Sequence, residues 1–341
     1  MSCYHPLKAF PTFVSPETGK QQYKICSYGV SAIRWNGNSY VAISGDFNNY
    51  TDVITEFIEI PCGKCIGCRL DYSRDWANRC MLEASYYDSN YFVTLTYDNE
   101  HLHGVNHVDI GTGEYFPNLF STLCKVDLQK FMKRLRFNTG QNIRYYAAGE
   151  YGSSSYRPHY HLIIFGLNLT DLKILKSNFQ GELYYTSETI SKAWPFGFHV
   201  VAGVTWDTCA YTARYVMKKR KGQDFYLYDK FGIEPEFCTM SLKPGIGRLY
   251  YDEHKEQIYK YDSISFSTSK NGMKFRPPRY FDRLYDIEYP EEYEVLKERR
   301  KLVGEGINKA RSRLTDLVYL DYLAVSESAK ENKIKALRRE L

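Results

Sequence analysis

Long hydrophobic runs are missing from this 341-residue chain. No window approaches about 18 consecutive apolar residues, so no membrane-spanning helix is expected. The start, Met1-Ser-Cys-Tyr-His-Pro, lacks the basic-then-apolar design of a secretory leader, and cytoplasmic residence with no membrane partner is the expectation. A strong charge bias is also missing. With 45 Lys+Arg against 40 Asp+Glu, the net charge of +5 is too small for bulk electrostatics to declare a nucleic-acid partner. Internal repeats and low-complexity tracts are absent, which argues against a solenoid or a disordered linker. The chain has no G-x-x-x-x-G-K-[ST] loop and no H-E-x-x-H pair, so neither P-loop nucleotide hydrolysis nor zincin-type hydrolysis is expected. What is present is a folded composition, 43% hydrophobic and 16% aromatic. At about 150 residues per domain, the length suits roughly two domains.

The charge that does exist is unevenly placed. Residues 282–341 hold 13 basic and 13 acidic side chains, whereas 1–281 hold 32 and 27, so the whole excess lies upstream of the tail. The tail's segments around 291–302 and 306–341 read as charged helices with mixed-sign, solvated faces. In the middle, Tyr91–Tyr97, Ile143–Ala148 and His159–Phe165 are β-branched and aromatic runs of the kind that form strands. Between the first two, Leu128, Phe131, Met132 and Leu135 recur at helical spacing, with Lys130, Lys133, Arg134 and Arg136 on the other face. That basic face has two readings: an ordinary solvated surface, or a guide for single-stranded DNA. A second helix is expected over 207–220, with Asp207 and Thr208 at its start. Segment 223–281 reads as mixed β and loop. Strands interleaved with helices imply an α+β fold.

His159-Tyr160-His161 opens an apolar strand run. Side chains at i and i+2 of a strand share a face, so both imidazoles can converge on one metal ion while Tyr160 turns into packing. A third ligand is needed, and a carboxylate would suit Mg²⁺ or Mn²⁺. Glu150 ends the preceding strand, and a hairpin through 151–158 would set it beside His159; its alternative is a solvent-facing strand-end carboxylate. The pair His101/His103 lies in a loop sequence and reads as solvated.

Tyr211 and Tyr215 are four residues apart, so on a helix the two phenols share a face, each followed three residues on by a cation, Arg214 or Lys218. A phenol with a pKa near 10 needs a cation or a metal-bound phosphate nearby to act as a nucleophile. In a chain with 32 tyrosines such a pair is weak by itself, since aromatic stripes usually belong to a core. The cations Arg214, Lys218, Lys219, Arg220 and Lys221, with no acid over 208–223, favour a surface that faces phosphate.

Cys62, Cys65 and Cys68 supply three thiolates, one short of a closed tetrahedral zinc site, and either Cys3 or His5 could be the fourth ligand. Their spacing in a chain without a secretory leader suits a metal better than a disulfide framework. Reduced thiols in a turn are the plain alternative, and an iron–sulfur cluster is disfavoured because no electron-transfer role is evident.

Arg157-Pro-His-Tyr-His161 before an apolar strand, with Tyr-x-x-x-Tyr and two lysines some fifty residues later, resembles the HUH endonucleases that initiate rolling-circle replication. The segments Pro61-Cys-Gly-Lys-Cys-Ile-Gly-Cys-Arg69, Phe92–Asp98, Gly149-Glu-Tyr-Gly152 and Ala210–Lys219, together with the Cys3-Tyr-His-Pro start, are similar to the replication initiators of gokushoviruses, single-stranded DNA phages of the Microviridae. The resemblance implies an HUH core with a central antiparallel sheet flanked by helices and the histidine strand in its middle. It implies His159, His161 and Glu150 as ligands for Mg²⁺ or Mn²⁺, and Tyr211 and Tyr215 as paired nucleophiles forming a 5′-phosphotyrosine. Lys218, or alternatively Lys219, would attend the active phosphate, and Arg214, Lys130, Lys133 and Arg134 would face DNA. The implied partners are single-stranded DNA at the origin and the host's helicase and polymerase, in the bacterial cytoplasm. The expected organisation is a Cys-rich module over 1–87, a nuclease core over 88–222, and an extension over 223–341 of mixed β and loop, then charged helices. The competing function is a non-catalytic single-stranded DNA-binding or packaging protein, which would form no covalent adduct with DNA.

Overall fold

Alternating apolar and polar residues build most of the strands, and a computed structural model describes residues 3–108, 111–152, 155–178, 181–215, 225–267 and 272–335; the side chains of Tyr215 and Lys335 lie outside that description. The chain divides into two compact units, Met1–Asp71 with Val295–Glu340, and Tyr72–Glu294.

The first unit opens with six strands: β1 (Leu7–Val14), β2 (Gln21–Ser27), β3 (Val30–Trp35), β4 (Tyr40–Ser44), β5 (Val53–Ile54) and β6 (Ile58–Ile60). They form two antiparallel three-stranded sheets, ordered β2-β1-β6 and β4-β3-β5. Phe10, Cys26, Val30 and Ile33 are buried together as a small core. Helix α1 (Ile66–Ala84) begins in this unit and continues into the second.

The second unit continues with β7 (Asn90–Tyr97), the hairpin β8 (Gly104–Val108) and β9 (Tyr115–Ser121), α2 (Lys125–Thr139), β10 (Arg144–Tyr151) and β11 (Pro158–Phe165). Next come β12 (Leu172–Ser177), β13 (Leu183–Ser187), α3 (Glu188–Ala193), β14 (Gly197–Gly203) and α4 (Trp206–Tyr215). Then follow α5 (Tyr226–Phe231), β15 (Phe237–Met240), α6 (Arg248–Tyr261), the hairpin β16 (Ile264–Ser267) and β17 (Gly272–Phe275), and α7 (Arg279–Glu288). Two further helices, α8 (Pro290–Ser312) and α9 (Tyr319–Lys335), close the described chain. No described helix is long and apolar enough to cross a membrane.

The centre of the second unit is an antiparallel sheet of seven strands, ordered β12-β13-β14-β7-β11-β10-β15, so the expected α+β class and antiparallel sheet are present. The histidine strand β11 is internal, paired with β7 and β10. Period-two alternation divides its side chains between two cores. Leu95, Tyr160, Leu162 and Ile164 face Leu128, Phe131, Met132 and Leu135 of α2, with Ile190 and Trp194 from the α3 region. Phe92, Tyr146, Ile163 and Phe165 face Trp76, Ala77 and Cys80 of α1 and Cys209, Ala210 and Ala213 of α4. Helix α2 stops where Gly140 takes a left-handed φ of 65° and its N–H caps the Arg136 carbonyl.

Two expectations need correcting. The start of α4 is capped by Thr205, not Asp207: the Thr208 N–H donates to Thr205 Oγ1 at 3.1 Å, and the Thr205 N–H donates to Thr208 Oγ1 at 2.9 Å. Segment 223–281, read as β and loop, contains the fourteen-residue helix α6. Its stripe is Tyr251, Ile258 and Tyr259, spaced seven and eight apart, and the phenols mask a helical repeat as β propensity. Tyr251 packs on Phe281 of α7, and Tyr259 stacks on Tyr285 at 3.7 Å between centroids.

Candidate metal and nucleophile site

Pairing across the β10–β11 hairpin sets Glu150 directly opposite His159, and Ala148 opposite His161. On the other side of β11, Thr96 is opposite His159 and Thr94 opposite His161. Thr94, Glu150, His159 and His161 therefore share one face. The strand's entry is fixed by Arg157, whose guanidinium donates to the Tyr97 carbonyl at 2.9 and 3.3 Å.

On that face three ligating groups converge. Glu150 Oε1 lies 2.7 Å from His159 Nε2 and 3.2 Å from His161 Nε2. Glu150 and His161 are buried, and the His159 side chain retains 19% exposure, which leaves the cluster open on one side. The far ring nitrogens are already engaged. His159 Nδ1 lies 3.0 Å from the Arg157 carbonyl, which can only accept, so Nδ1 carries the proton and Nε2 keeps its lone pair. His161 Nδ1 meets the Thr94 hydroxyl at 3.1 Å. Outer hydrogen bonds of this kind orient metal-binding imidazoles, and two such nitrogens with one buried carboxylate fit a divalent cation with open positions.

Helix α4 covers this face. The Tyr211 ring lies 5.2 Å from the His161 ring at 79° and 6.1 Å from Phe92, which itself stacks parallel on His161 at 5.7 Å. The Arg214 guanidinium carbon is 6.0 Å from the Tyr211 ring centre, so a cation accompanies the phenol. Helix α1 anchors α4 at two points: Ser73 Oγ donates to the Ala210 carbonyl at 2.7 Å, and Trp206 Nε1 donates to Asn78 Oδ1 at 2.8 Å. Tyr215 is the last described residue of α4, one turn beyond Tyr211, and Lys218 and Lys219 lie outside the described residues.

The cations of α2 are not brought to this cluster. Their helix packs on the opposite face of the sheet. Arg134 donates from Nε to the Ala193 carbonyl at 2.7 Å, and Arg136 donates to the Ile143 carbonyl at 3.0 and 3.2 Å, while Lys130 and Lys133 are exposed. His101 and His103 pair with different carboxylates, Asp98 at 2.7 Å and Asp127 at 2.6 Å. Sequence reading missed Asp127, which also accepts from Tyr97 Oη at 2.9 Å; burial raises its pKa, but the His103 and Tyr97 hydrogen bonds outweigh this and hold it below the usual carboxylate value. It also missed Thr94, although Thr94 and Phe92 are spaced to share a face. In the first unit, Cys3, Cys62, Cys65 and Cys68 lie together. Burial pushes the Cys3 thiol up to about 11; Cys62 is also buried, yet N–H donors from Cys65 and Lys64 hold it below the ordinary value.

The sequence profile of the Replication-associated protein ORF2 family matches residues 90–220, the stretch that contains the cluster and α4. The chain is 38% identical to the Replication-associated protein ORF2 of Spiroplasma virus 4 over 304 residues, covering 87% of this chain and 91% of that protein. It is 32% identical to the Replication-associated protein VP4 of Bdellovibrio phage phiMH2K, over 75% of this chain and 77% of that one. It is 29% identical to the Replication-associated protein ORF4 of Chlamydia phage 1, over 74% and 62%. No solved structure matches it. The chain belongs to the family of phage replication-associated proteins that these three viruses represent.

Proposed function

We propose that this protein initiates rolling-circle replication as a metal-dependent HUH endonuclease and strand transferase, nicking single-stranded phage DNA at the plus-strand origin. One observation carries the reading: a buried carboxylate and two imidazoles converge on one sheet face, with the Tyr211 ring 5.2 Å from the inner imidazole. Glu150, His159 and His161 hold Mg²⁺ or Mn²⁺, which as a Lewis acid polarises a phosphate oxygen. A tyrosine hydroxyl loses its proton and attacks the scissile phosphorus, forming a 5′-phosphotyrosine. The bond to the 3′ oxygen breaks, and that oxygen takes up a proton to become the 3′-OH that the host polymerase extends. The other tyrosine of the pair Tyr211/Tyr215 acts when the origin is regenerated, and the released 3′-OH closes the displaced strand. Arg214, with Lys218 or Lys219, favours the phenolate and holds the phosphate. The phosphotyrosine conserves the energy of the broken linkage, so joining needs no nucleotide hydrolysis, and unwinding falls to a host helicase in the bacterial cytoplasm.

The test is an origin-bearing oligonucleotide incubated with the protein and Mn²⁺ or Mg²⁺. A denaturant-resistant adduct, mapped by mass spectrometry to Tyr211 or Tyr215, supports the reading. Salt-sensitive binding with no adduct in either metal would favour a non-catalytic DNA-binding protein instead.

A further inference from the structure

We infer that Cys3, Cys62, Cys65 and Cys68 bind one structural Zn²⁺ that clasps the N-terminus to the head of α1, separate from the nuclease metal. The backbone explains how the four meet. Leu7 and Ile60 are the last pair of the β1–β6 ladder, so Cys3, four residues before Leu7, and Cys62, two after Ile60, continue past the same end. The turn that follows bends at Gly63, whose φ of 71° suits glycine, and leads into α1, where Cys68 lies in the first turn.

The sulfur geometry specifies a single ion. At a Zn–S distance of about 2.3 Å, a tetrahedron has S···S edges of about 3.8 Å. Cys62 and Cys68 Sγ are 4.0 Å apart, Cys65 and Cys3 Sγ are 3.9 Å apart, and all four lie within 4.8 Å of one another. An iron–sulfur cluster distributes its thiolates over different irons and needs a wider span. No disulfide joins these cysteines. Five backbone N–H groups point at the sulfurs: Cys62 N–H at Cys3, Lys64 and Cys65 N–H at Cys62, and Tyr4 and Cys68 N–H at Cys65, at 3.2–3.5 Å. Such donors stabilise thiolate rather than thiol. The alternative fourth ligand is engaged elsewhere, since His5 Nε2 pairs with Glu327 Oε2 at 2.6 Å. Four protein ligands close the coordination sphere, which marks a structural site, and the thin apolar core around Phe10, Cys26, Val30 and Ile33 gives the unit a physical need for one.

Elemental analysis of full-length protein should find about one zinc per chain in a colourless sample. The His159→Ala/His161→Ala variant should retain it, and Cys68→Ser should fall below about a tenth, with Cys124→Ser as the unaffected control. If Cys68→Ser does not fold, a measurement on the unmodified protein decides: mercurial titration of its thiols should release that zinc to a chromophoric chelator. Zinc lost with the histidines but not with Cys68, stoichiometric iron with visible colour, or freshly purified protein with neither metal would each overturn the inference.

Discussion

Tyr211 stands edge-on to His161, 5.2 Å between ring centres and at 79°. The imidazole has little freedom, because Phe92 stacks on it, Thr94 meets Nδ1 and Glu150 meets Nε2. The phenol-bearing helix is held by Ser73 and Asn78. A rigid donor set and an anchored phenol are what an in-line attack on a bound phosphate requires.

Replacing a nucleophilic tyrosine by phenylalanine removes one oxygen and leaves the packing. Tyr211→Phe or Tyr215→Phe should each impair turnover, and the double change should lower adduct formation by at least about 10³-fold. Denaturing gels and mass spectrometry read the outcome; an adduct persisting in the double variant would show that another residue attacks.

Thr94 touches a ligand rather than the metal. Thr94→Val should weaken Mn²⁺ affinity or activity by roughly 10–100-fold, whereas Thr94→Ser, which keeps the hydroxyl, should restore it. Calorimetric Mn²⁺ titrations test this, and equal losses in Val and Ser variants would assign Thr94 to packing alone.

Ser73 acts through α4. Ser73→Ala deletes a buried hydrogen bond and should cost about 1–3 kcal/mol of stability. Adduct formation should slow while Mn²⁺ affinity at Glu150, His159 and His161 stays unchanged. If both fall together, the bond supports the whole unit and not the placement of Tyr211.

His199 is buried on β14, and its Nε2 accepts the Ser187 N–H at 3.0 Å, which requires the neutral ring. Burial lowers its pKa from 6.5, against a smaller upward pull from Asp171. The unfolded chain therefore binds the proton more readily. This contribution to stability is present above pH 6.5 and is lost as pH falls from 6.5 toward the lowered folded value, with a slope of at most about 1.4 kcal/mol per pH unit. Urea unfolding between pH 7.5 and 5.5 should show a steeper acid loss in the unmodified protein than in His199→Gln; parallel curves would remove His199 as the cause.

Much of this was readable residue by residue. Period-two alternation implied that His159 and His161 share a face, and a hairpin of the right length implied that Glu150 would join them, as its pairing shows. Helix α2 was legible from four apolar residues at helical spacing. Helix α6 was not, because a stripe made largely of tyrosine looks like a strand. Thr94 and Ser73 carry no local signal, since a hydroxyl's role depends on what faces it.

Local order along the chain was enough to determine which side chains point the same way, because strand and helix periods are set by backbone geometry. Which helix covers which face of the sheet was decided by tertiary packing alone. Helices α2 and α4 both offer an apolar stripe flanked by cations, and nothing within either says where it docks. Packing α2 on the Tyr160 side and α4 on the His161 side is what separates Lys130 and Lys133 from the cluster and brings Tyr211 to it.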